Sequence, residues 1–188
     1  MTHTSTDEEI AHQVQRGKKE LFGVLIERYE GRLIRYARKF LLERQDAEDK
    51  VQEVFIKAYV NIQSFQTSRK FSSWIYRIAH NEFINAIKKR SGESIFFFDP
   101  DTIFPHPLSR DEADSEATRR ETKELLDQTL QKIDPKYREV LVLYYYEDLD
   151  YKTISEILEI PISTVGVRLK RGKESMRKII EQHDPSRT

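Results

Sequence analysis

Apolar residues along this chain recur at helical spacing rather than at the alternating spacing of strands. A third helix is predicted within residues 70–90, KFSSWIYRIAHNEFINAIKKR, with Ser72 and Ser73 as N-cap candidates after a loop. The first two apolar stripes consist of Leu21, Leu25, Tyr29, Leu33, Tyr36, Ala37 and Phe40, and then of Ala47, Val51, Val54, Phe55, Ala58 and Ile62. The pattern therefore predicts a small, all-α N-terminal domain.

The composition changes between residues 93 and 117, where seven acidic residues face one basic residue and three prolines interrupt any helix. This segment reads as an acidic linker. Its apolar run around Phe96–Phe98 leaves two interpretations open, packing on neighbouring elements or docking into a partner. Helical spacing resumes at about Thr118, with the apolar stripes Leu125, Leu126, Thr129, Leu130 and Ile133, and then Val140, Leu141, Leu143 and Tyr144. Between these stripes, Asp134-Pro135 predicts a helix start.

The last helices have the pattern of a helix-turn-helix. Ile154, Ile157 and Leu158 form a short apolar face, residues 159–162 make a break, and Ser163 is predicted to cap the next helix. A buried stripe is predicted at Val165, Leu169, Gly172, Met176, Ile179 and Ile180, and the opposite face carries Arg168, Lys170, Arg171, Lys173, Arg177 and Lys178. A short helix, a tight turn and a one-sidedly basic helix are typical of a DNA reader. The alternative is a solvated basic helix within a bundle.

Charge and composition narrow the class of protein. Charged residues make up 34% of the chain at zero formal net charge, and there is no cysteine for a disulfide or a thiolate metal site. We find no signal-peptide pattern and no apolar run of the roughly 20 residues that a membrane span needs. The five histidines are scattered, and no phosphate loop or nucleophile elbow occurs. The sequence therefore predicts an intracellular protein that is no enzyme and holds neither metal nor cofactor.

Two blocks carry a resemblance to a known family. The segments DAEDKVQEVFIKAYVNI, residues 46–62, and KFSSWIYRIAHNEFINAIKKR, followed by the helix-turn-helix, resemble the extracytoplasmic-function (ECF) branch of the sigma-70 family. The resemblance implies an RNA polymerase sigma factor made of two small helical domains. It implies a region 2 domain at residues 7–91, an acidic linker at 92–117 and a region 4 domain with the helix-turn-helix at 118–183.

The resemblance assigns the segment 46–62 to binding of core RNA polymerase. Apolar residues of this helix point inward, so its polar residues are left to pair with a basic partner helix. The residues implied in polymerase binding are Asp46, Asp49, Gln52, Glu53 and Lys57. Without the resemblance, a solvated acidic face would explain the same pattern. Lys50 stands where the family often has an apolar residue, and we expect it to weaken or tune this binding.

The resemblance assigns the loop 64–71 and the following helix to recognition and melting of the promoter minus-ten element. Unpaired bases are held by positive grooves, aromatic platforms and pockets for flipped bases. The implied residues are Phe65, Arg69, Lys70, Phe71, Arg77, Asn81, Asn85, Lys88 and Lys89. Phe65 and Phe71 fit either base stacking or anchoring of the loop. Trp74, Ile75 and Ile78 are expected in the hydrophobic core.

The helix-turn-helix would read the minus-thirty-five element. The implied residues are Ser163, Thr164, Val167, Arg168, Arg171 and Lys173. Gly166 and Val167 replace the basic residue and the serine that are usual in the family, so a base-reading cation is lost. One hypothesis is that Val167 contacts a thymine methyl group. Asn85 likewise replaces a frequent acid on the melting helix.

The resemblance further implies promoter DNA, core RNA polymerase and an anti-sigma factor as partners. It implies a cytoplasmic location, with attachment to the membrane only through the anti-sigma factor and no direct insertion. The alternative function is a helix-turn-helix transcriptional regulator that does not act as a sigma factor. Such a regulator needs a sensory domain, and we see none in the N-terminal half.

Overall fold

The structure is a computed structural model that describes residues 5–39, 44–91, 126 and 128–183. Regular structure in these ranges is helical throughout, which confirms the all-α class. The chain divides into two compact units, residues 1–95 with 152–159 and residues 96–151 with 160–188. The predicted linker, residues 92–117, lies outside the described residues.

The N-terminal part of the first unit, within residues 5–39 and 44–91, contains four helices, α1 (Asp7–Gln15), α2 (Phe22–Ala37), α3 (Arg44–Val60) and α4 (Phe71–Ser91). Short 3₁₀ turns at Lys19–Leu21 and Ile62–Ser64 precede α2 and follow α3. All six apolar residues predicted to be buried between 47 and 62 are buried. In the first stripe Leu21 is only partly buried, and Phe22 takes the inward position at the start of α2. Phe40 lies outside the described residues.

Helix α1 was not predicted from the apolar stripes, although its start has a clear sequence signature. Thr6 and Glu9 form a reciprocal capping box, and Ile10, Ala11 and Val14 are buried. The helix is fastened to α2 by the Asp7 carboxylate, which accepts hydrogen bonds from Arg28 Nη1 and Tyr29 Oη, both at 2.5 Å. Burial and the hydrogen bond to Asp7 raise the pKa of Tyr29, so its hydroxyl remains a donor.

The start of α4 corrects the predicted cap. The helix begins at Phe71, so Ser72 and Ser73 lie within its first turn and neither is the N-cap. The Phe71 amide instead donates to Glu8 Oε1 of α1 at 2.8 Å, across 63 residues of sequence. A helix start leaves backbone N–H groups without helical partners, and here a carboxylate from another helix satisfies one of them. No local reading of the sequence identifies a cap that distant.

The second half contains α5 (Pro135–Leu141), α6 (Tyr151–Leu158) and α7 (Ile162–His183), and α5 continues into a π-helical turn at Val142–Tyr146. The predicted start of α5 is confirmed, because Asp134 Oδ1 accepts from the Lys136 amide at 3.0 Å and Pro135 opens the helix. Buried Arg138 donates from Nη2 to the carbonyl oxygens of Gln131 and Ile133, at 2.7 and 3.1 Å.

Helix α7 buries Val165, Leu169 and Gly172, whereas Met176, Ile179 and Ile180 at its far end are only partly buried. Its predicted cap is wrong by two residues. The helix begins at Ile162, and the amides of Thr164 and Val165 donate to the Pro161 carbonyl at 2.9 and 3.1 Å. Ser163 therefore lies in the first turn and is exposed. Glu159 adopts a left-handed backbone, φ 53°, directly after α6 ends.

Two glycines in α7 allow a matched test of packing. A Cβ at Gly172 would lie 3.0 Å from Leu141 Cγ and Cδ1, whereas a Cβ at Gly166 would meet only Tyr151 Cε2 at 3.6 Å. Both alanine variants gain the same helix propensity, about 1 kcal/mol. We expect Gly172→Ala to be less stable than Gly166→Ala by about 1–3 kcal/mol, the cost of overpacking. Hydrogen exchange of the α7 amides measures this, and equal protection in the two variants would contradict it.

Candidate polymerase and promoter interfaces

One face of α3 is exposed and mixed in character. Asp49 and Gln52 are exposed, and Asp46 and Glu53 are partly exposed. The same face continues through Ile56 and Val60, two aliphatic side chains that are 63% and 71% exposed. The sequence prediction missed these two residues, although they follow Gln52 at helical steps of four. We refer to Asp49, Gln52, Glu53, Ile56 and Val60 as the α3 outer face.

Two lysines next to the α3 outer face are engaged within the chain. Lys50 Nζ donates to both carboxylate oxygens of Glu53, at 2.6 and 2.7 Å. This contact partly neutralises Glu53, an acid of the predicted interface. Lys57 Nζ lies 2.6 Å from Glu82 Oε1 and joins α3 to α4. Lys57, which the resemblance assigned to polymerase binding, thus has a partner within its own unit.

The loop between α3 and α4 borders a cavity. The loop cations Arg69 and Lys70 are exposed, and they line the cavity together with Ser64, Phe65, Gln66, Ser73, Trp74 and Arg77, and with Glu156 of the same unit. Ser73 is one of the residues that line the cavity, but its hydroxyl oxygen is buried and has no hydrogen-bond partner among the described residues.

The aromatic residues of this region divide between core and cavity. Phe71 is fully buried, and its ring centroid lies 5.4–5.6 Å from those of Tyr29, Phe65 and Trp74. Phe65 is 4% exposed. Of the two roles left open for Phe65 and Phe71, burial supports anchoring of the loop over base stacking. Trp74, expected in the core, is only partly buried and lines the cavity, and Ile78 is partly buried as well.

The remaining predicted minus-ten residues follow the outer side of α4. Asn81 and Asn85 are exposed, and Asn81 is not among the residues that line the cavity. Arg77 lines the cavity and is ion-paired with Glu159, a residue of the same unit. The side chains of Lys88 and Lys89 lie outside the described part of the chain. The structure thus gathers Phe65, Arg69, Lys70 and Arg77 around one cavity.

The predicted minus-thirty-five residues all belong to α7. Ser163, Val167, Arg171 and Lys173 are exposed, and Thr164 and Arg168 are partly exposed. Arg171 Nη1 donates to Tyr137 Oη at 3.4 Å, and this bond raises the pKa of Arg171, so the side chain stays cationic. A Cβ at position 166 would lie 3.6 Å from Tyr151 Cε2, which is an ordinary van der Waals distance. Packing therefore does not require a glycine there.

Metal-binding clusters and membrane-spanning helices are both absent from residues 5–39, 44–91, 126 and 128–183. Within these ranges, no group of three or more histidine, cysteine, aspartate or glutamate side chains is arranged to hold a metal ion. No helix in the same ranges is long and apolar enough to cross a membrane.

Comparison with known proteins defines the class. Residues 25–93 match the model of Sigma-70 region 2, and residues 123–176 match that of Sigma-70, region 4. Together with the helical fold and the basic α7, these matches define the chain as an RNA polymerase sigma factor of the sigma-70 type, a transcription initiation factor that binds promoter DNA and core RNA polymerase. Both halves match, so the alternative of a regulator with a sensory N-terminal domain is not supported.

Full-length relatives define the branch. The chain is 35% identical over 174 residues to the ECF RNA polymerase sigma factor SigW of Bacillus subtilis, covering 88% of this chain and 92% of the relative. It is 31% identical over 185 residues to the RNA polymerase sigma-H factor of Pseudomonas aeruginosa, covering 93% and 94%. The fold is similar to that of CnrH, solved in complex with the cytosolic domain of CnrY, with a TM-score of 0.72, 24% identity and coverage of 95% and 99%. The chain belongs to the ECF family of sigma factors.

Proposed function

We propose that residues 7–91 bind core RNA polymerase and open the minus-ten element, that residues 118–183 read the minus-thirty-five element, and that residues 92–117 link the two. The family matches over residues 25–93 and 123–176 support this division. The polymerase supplies the chemistry of RNA synthesis. This chain directs the polymerase to a promoter and has no catalytic role of its own.

The cavity beside the loop is the observation that carries the minus-ten assignment. It combines cations from Arg69, Lys70 and Arg77, a partly buried Trp74 ring, and the exposed polar side chains of Gln66 and Glu156. An extruded base needs an aromatic or apolar wall and polar groups for its edge, and its phosphates need cations. Stacking on an aromatic contributes about 1–3 kcal/mol per base, enough to offset the roughly 1.4 kcal/mol needed to disrupt a base-pair step.

The α3 outer face is the proposed contact for core polymerase. Its acids, Asp49 and Glu53, suit a basic partner helix, and its exposed aliphatic end at Ile56 and Val60 supplies apolar area. Protein interfaces combine an apolar centre with a polar rim in this way. Lys57 serves in this arrangement to hold α3 against α4 through Glu82.

Releasing Glu53 from Lys50 tests whether that ion pair tunes polymerase binding. We expect Lys50→Leu to bind core polymerase about 2- to 5-fold more tightly, because the Lys50–Glu53 pair at 2.6 Å no longer competes with the partner. The measurement is a titration of labelled protein with core polymerase. Lys136→Leu is the matched control, because it removes an ion-paired lysine elsewhere in the chain. Lys136 lies on α5 and pairs with Asp134, which precedes that helix. Equal affinities for wild type and Lys50→Leu would show that the pair has no tuning role.

We also propose that an anti-sigma factor controls this chain in the cytoplasm, where it meets polymerase and DNA. RpoE of Bartonella quintana, similar in fold with a TM-score of 0.66 and 20% identity over 85% of this chain and 96% of its own, was solved with the anti-sigma factor NepR. A two-hybrid screen of the host genome that returned only polymerase subunits would argue against such a partner.

The function as a whole is tested by transcription in vitro with purified core RNA polymerase on fragmented host genomic DNA. We expect discrete RNA starts that depend on this protein and share a two-element motif upstream. Mapping these starts also yields the minus-ten sequence. Binding to core polymerase without any initiation would reduce the chain to an accessory role, and the absence of both would overturn the assignment.

A further inference from the structure

Helix α1 lies N-terminal to the part of the chain that matches sigma-70 region 2, residues 25–93, yet it contacts both ends of the proposed minus-ten loop. At the first end, Gln15 Nε2 donates to the carbonyl oxygens of Ile62 and Phe65, at 2.7 and 2.8 Å. Gln63 Nε2 returns a bond to the Gln15 carbonyl at 3.0 Å. At the second end, Glu8 Oε1 accepts from the Phe71 amide at 2.8 Å.

The loop buries little surface of its own, although the Arg69 amide donates to the Gln66 carbonyl oxygen at 2.9 Å. Residues 66–70, QTSRK, are exposed, and only the flanking rings of Phe65 and Phe71 are buried. Each residue held in one backbone conformation loses about 1–2 kcal/mol of conformational entropy, so a short polar loop without fixed ends samples many states. Two clamps that fix residue 65 on one side and residue 71 on the other remove most of that freedom.

Helix α1 is itself held in place by its cap, its buried side chains and its contacts with α2. Its capping box at Thr6 and Glu9 fixes its first turn, and three of its side chains are buried. The Asp7 carboxylate joins it to Arg28 and Tyr29 of α2. The positions of Glu8 and Gln15 are therefore set by the packing of α1 on α2.

We propose that α1 is a brace that pre-organises the minus-ten loop, with Gln15 and Glu8 as positioning residues for base recognition. The proposal rests on the assignment of the loop 64–71 to minus-ten DNA. Apparent affinity is proportional to the fraction of molecules that already have the binding conformation, so pre-organisation of the loop raises it. Because the loop geometry also selects among bases, losing the brace lowers discrimination between matched and mismatched sequences as well as affinity.

The test uses holoenzyme assembled from core polymerase and the full-length chain. The probe is a labelled single-stranded oligonucleotide with the minus-ten sequence obtained from the mapped starts, beside the same strand with one base changed. We expect Gln15→Ala to bind the matched strand about 5- to 30-fold more weakly, from the loss of two hydrogen bonds, and to discriminate less against the mismatch. Core polymerase binding should stay unchanged.

Two controls separate positioning from folding. Gln13→Ala changes the same residue type on the same helix and should behave as wild type, because Gln13 Oε1 accepts from Lys18 Nζ at 3.1 Å, before α2 and away from the loop. Glu8→Gln keeps an oxygen acceptor for the Phe71 amide and should retain most discrimination, whereas Glu8→Ala should lose it. A purely structural role would lower thermal stability and weaken matched and mismatched binding equally.

The possible outcomes separate the assignment of the loop to minus-ten DNA from the role of α1 as a brace. If wild-type holoenzyme does not discriminate between the strands, the assignment of the loop to minus-ten DNA is wrong. The proposed role of α1 is then overturned as well. If wild type discriminates while Gln15→Ala and Glu8→Ala match Gln13→Ala, only the brace is overturned. Equal loss on both strands together with lower thermal stability also overturns it.

Discussion

Replacing Ile56 by arginine is expected to weaken binding of core RNA polymerase by about 30- to 700-fold. Ile56 is 63% exposed at the centre of the α3 outer face, between Gln52 and Val60. Central apolar residues at interfaces cost roughly 2–4 kcal/mol when lost, and here the substitution also places a cation against a partner surface inferred to be basic. Titration of labelled chain with core polymerase measures the effect.

The matched control for Ile56→Arg is Val167→Arg. Val167 is also an exposed aliphatic residue on a helix, 49% exposed on α7, and lies in the proposed DNA-reading surface instead. It should leave polymerase binding unchanged while altering promoter binding. Because both side chains are exposed, neither variant should lower the free energy of unfolding by more than about 0.5 kcal/mol. Equal polymerase binding by Ile56→Arg and wild type would remove the α3 outer face from the interface.

Replacing Phe71 by alanine is expected to lower the free energy of unfolding of the N-terminal unit by about 3–5 kcal/mol. Phe71 is fully buried and packs against Tyr29, Phe65 and Trp74, so its removal opens a cavity where the loop joins α4. Against a typical total of roughly 5–15 kcal/mol, this loss leaves the unit marginally folded. Transcription should fall with it, because loop and cavity share these contacts.

Urea unfolding followed by tryptophan fluorescence measures the Phe71→Ala effect. Trp74 is the only tryptophan of the chain, and its ring centroid lies 5.6 Å from that of Phe71, so its emission reports on this cluster. Val60→Ala is the control, because Val60 is 71% exposed and should change stability by no more than about 0.5 kcal/mol. A similar midpoint for the two variants would contradict the anchoring role of Phe71.

Structural features that depend on residues close together in the sequence were predictable from the sequence. The helical period of Ala47, Val51, Val54 and Ala58 predicted a buried face correctly, because a helix brings such residues together whatever surrounds it. Asp134-Pro135 predicted a helix start for the same reason. The family motifs at residues 46–62 and 70–90 identified the sigma-70 class, which the comparisons confirm.

Residues whose neighbours are distant in sequence were not predictable in this way. The cap of α4 comes from Glu8 across 63 residues, and the loop ends are held by Gln15 across 47 and 50 residues. The ion-pair partner of Lys57 is Glu82, which lies on another helix. Ion pairs and long-range hydrogen bonds depend on which helices pack together, and a single-helix pattern does not contain that information.

By itself, the sequence determined the helical class, most buried stripes, the basic face of α7 and the sigma-70 family, because these depend on periodicity and on local motifs. Tertiary structure alone decided that Phe65 and Phe71 anchor the loop, that Trp74 borders a cavity, and that α1 holds both ends of the loop. The physical reason is the same in each case. Burial and long-range hydrogen bonds arise only when separate helices pack, so a residue's type and spacing leave several roles open until its neighbours are known.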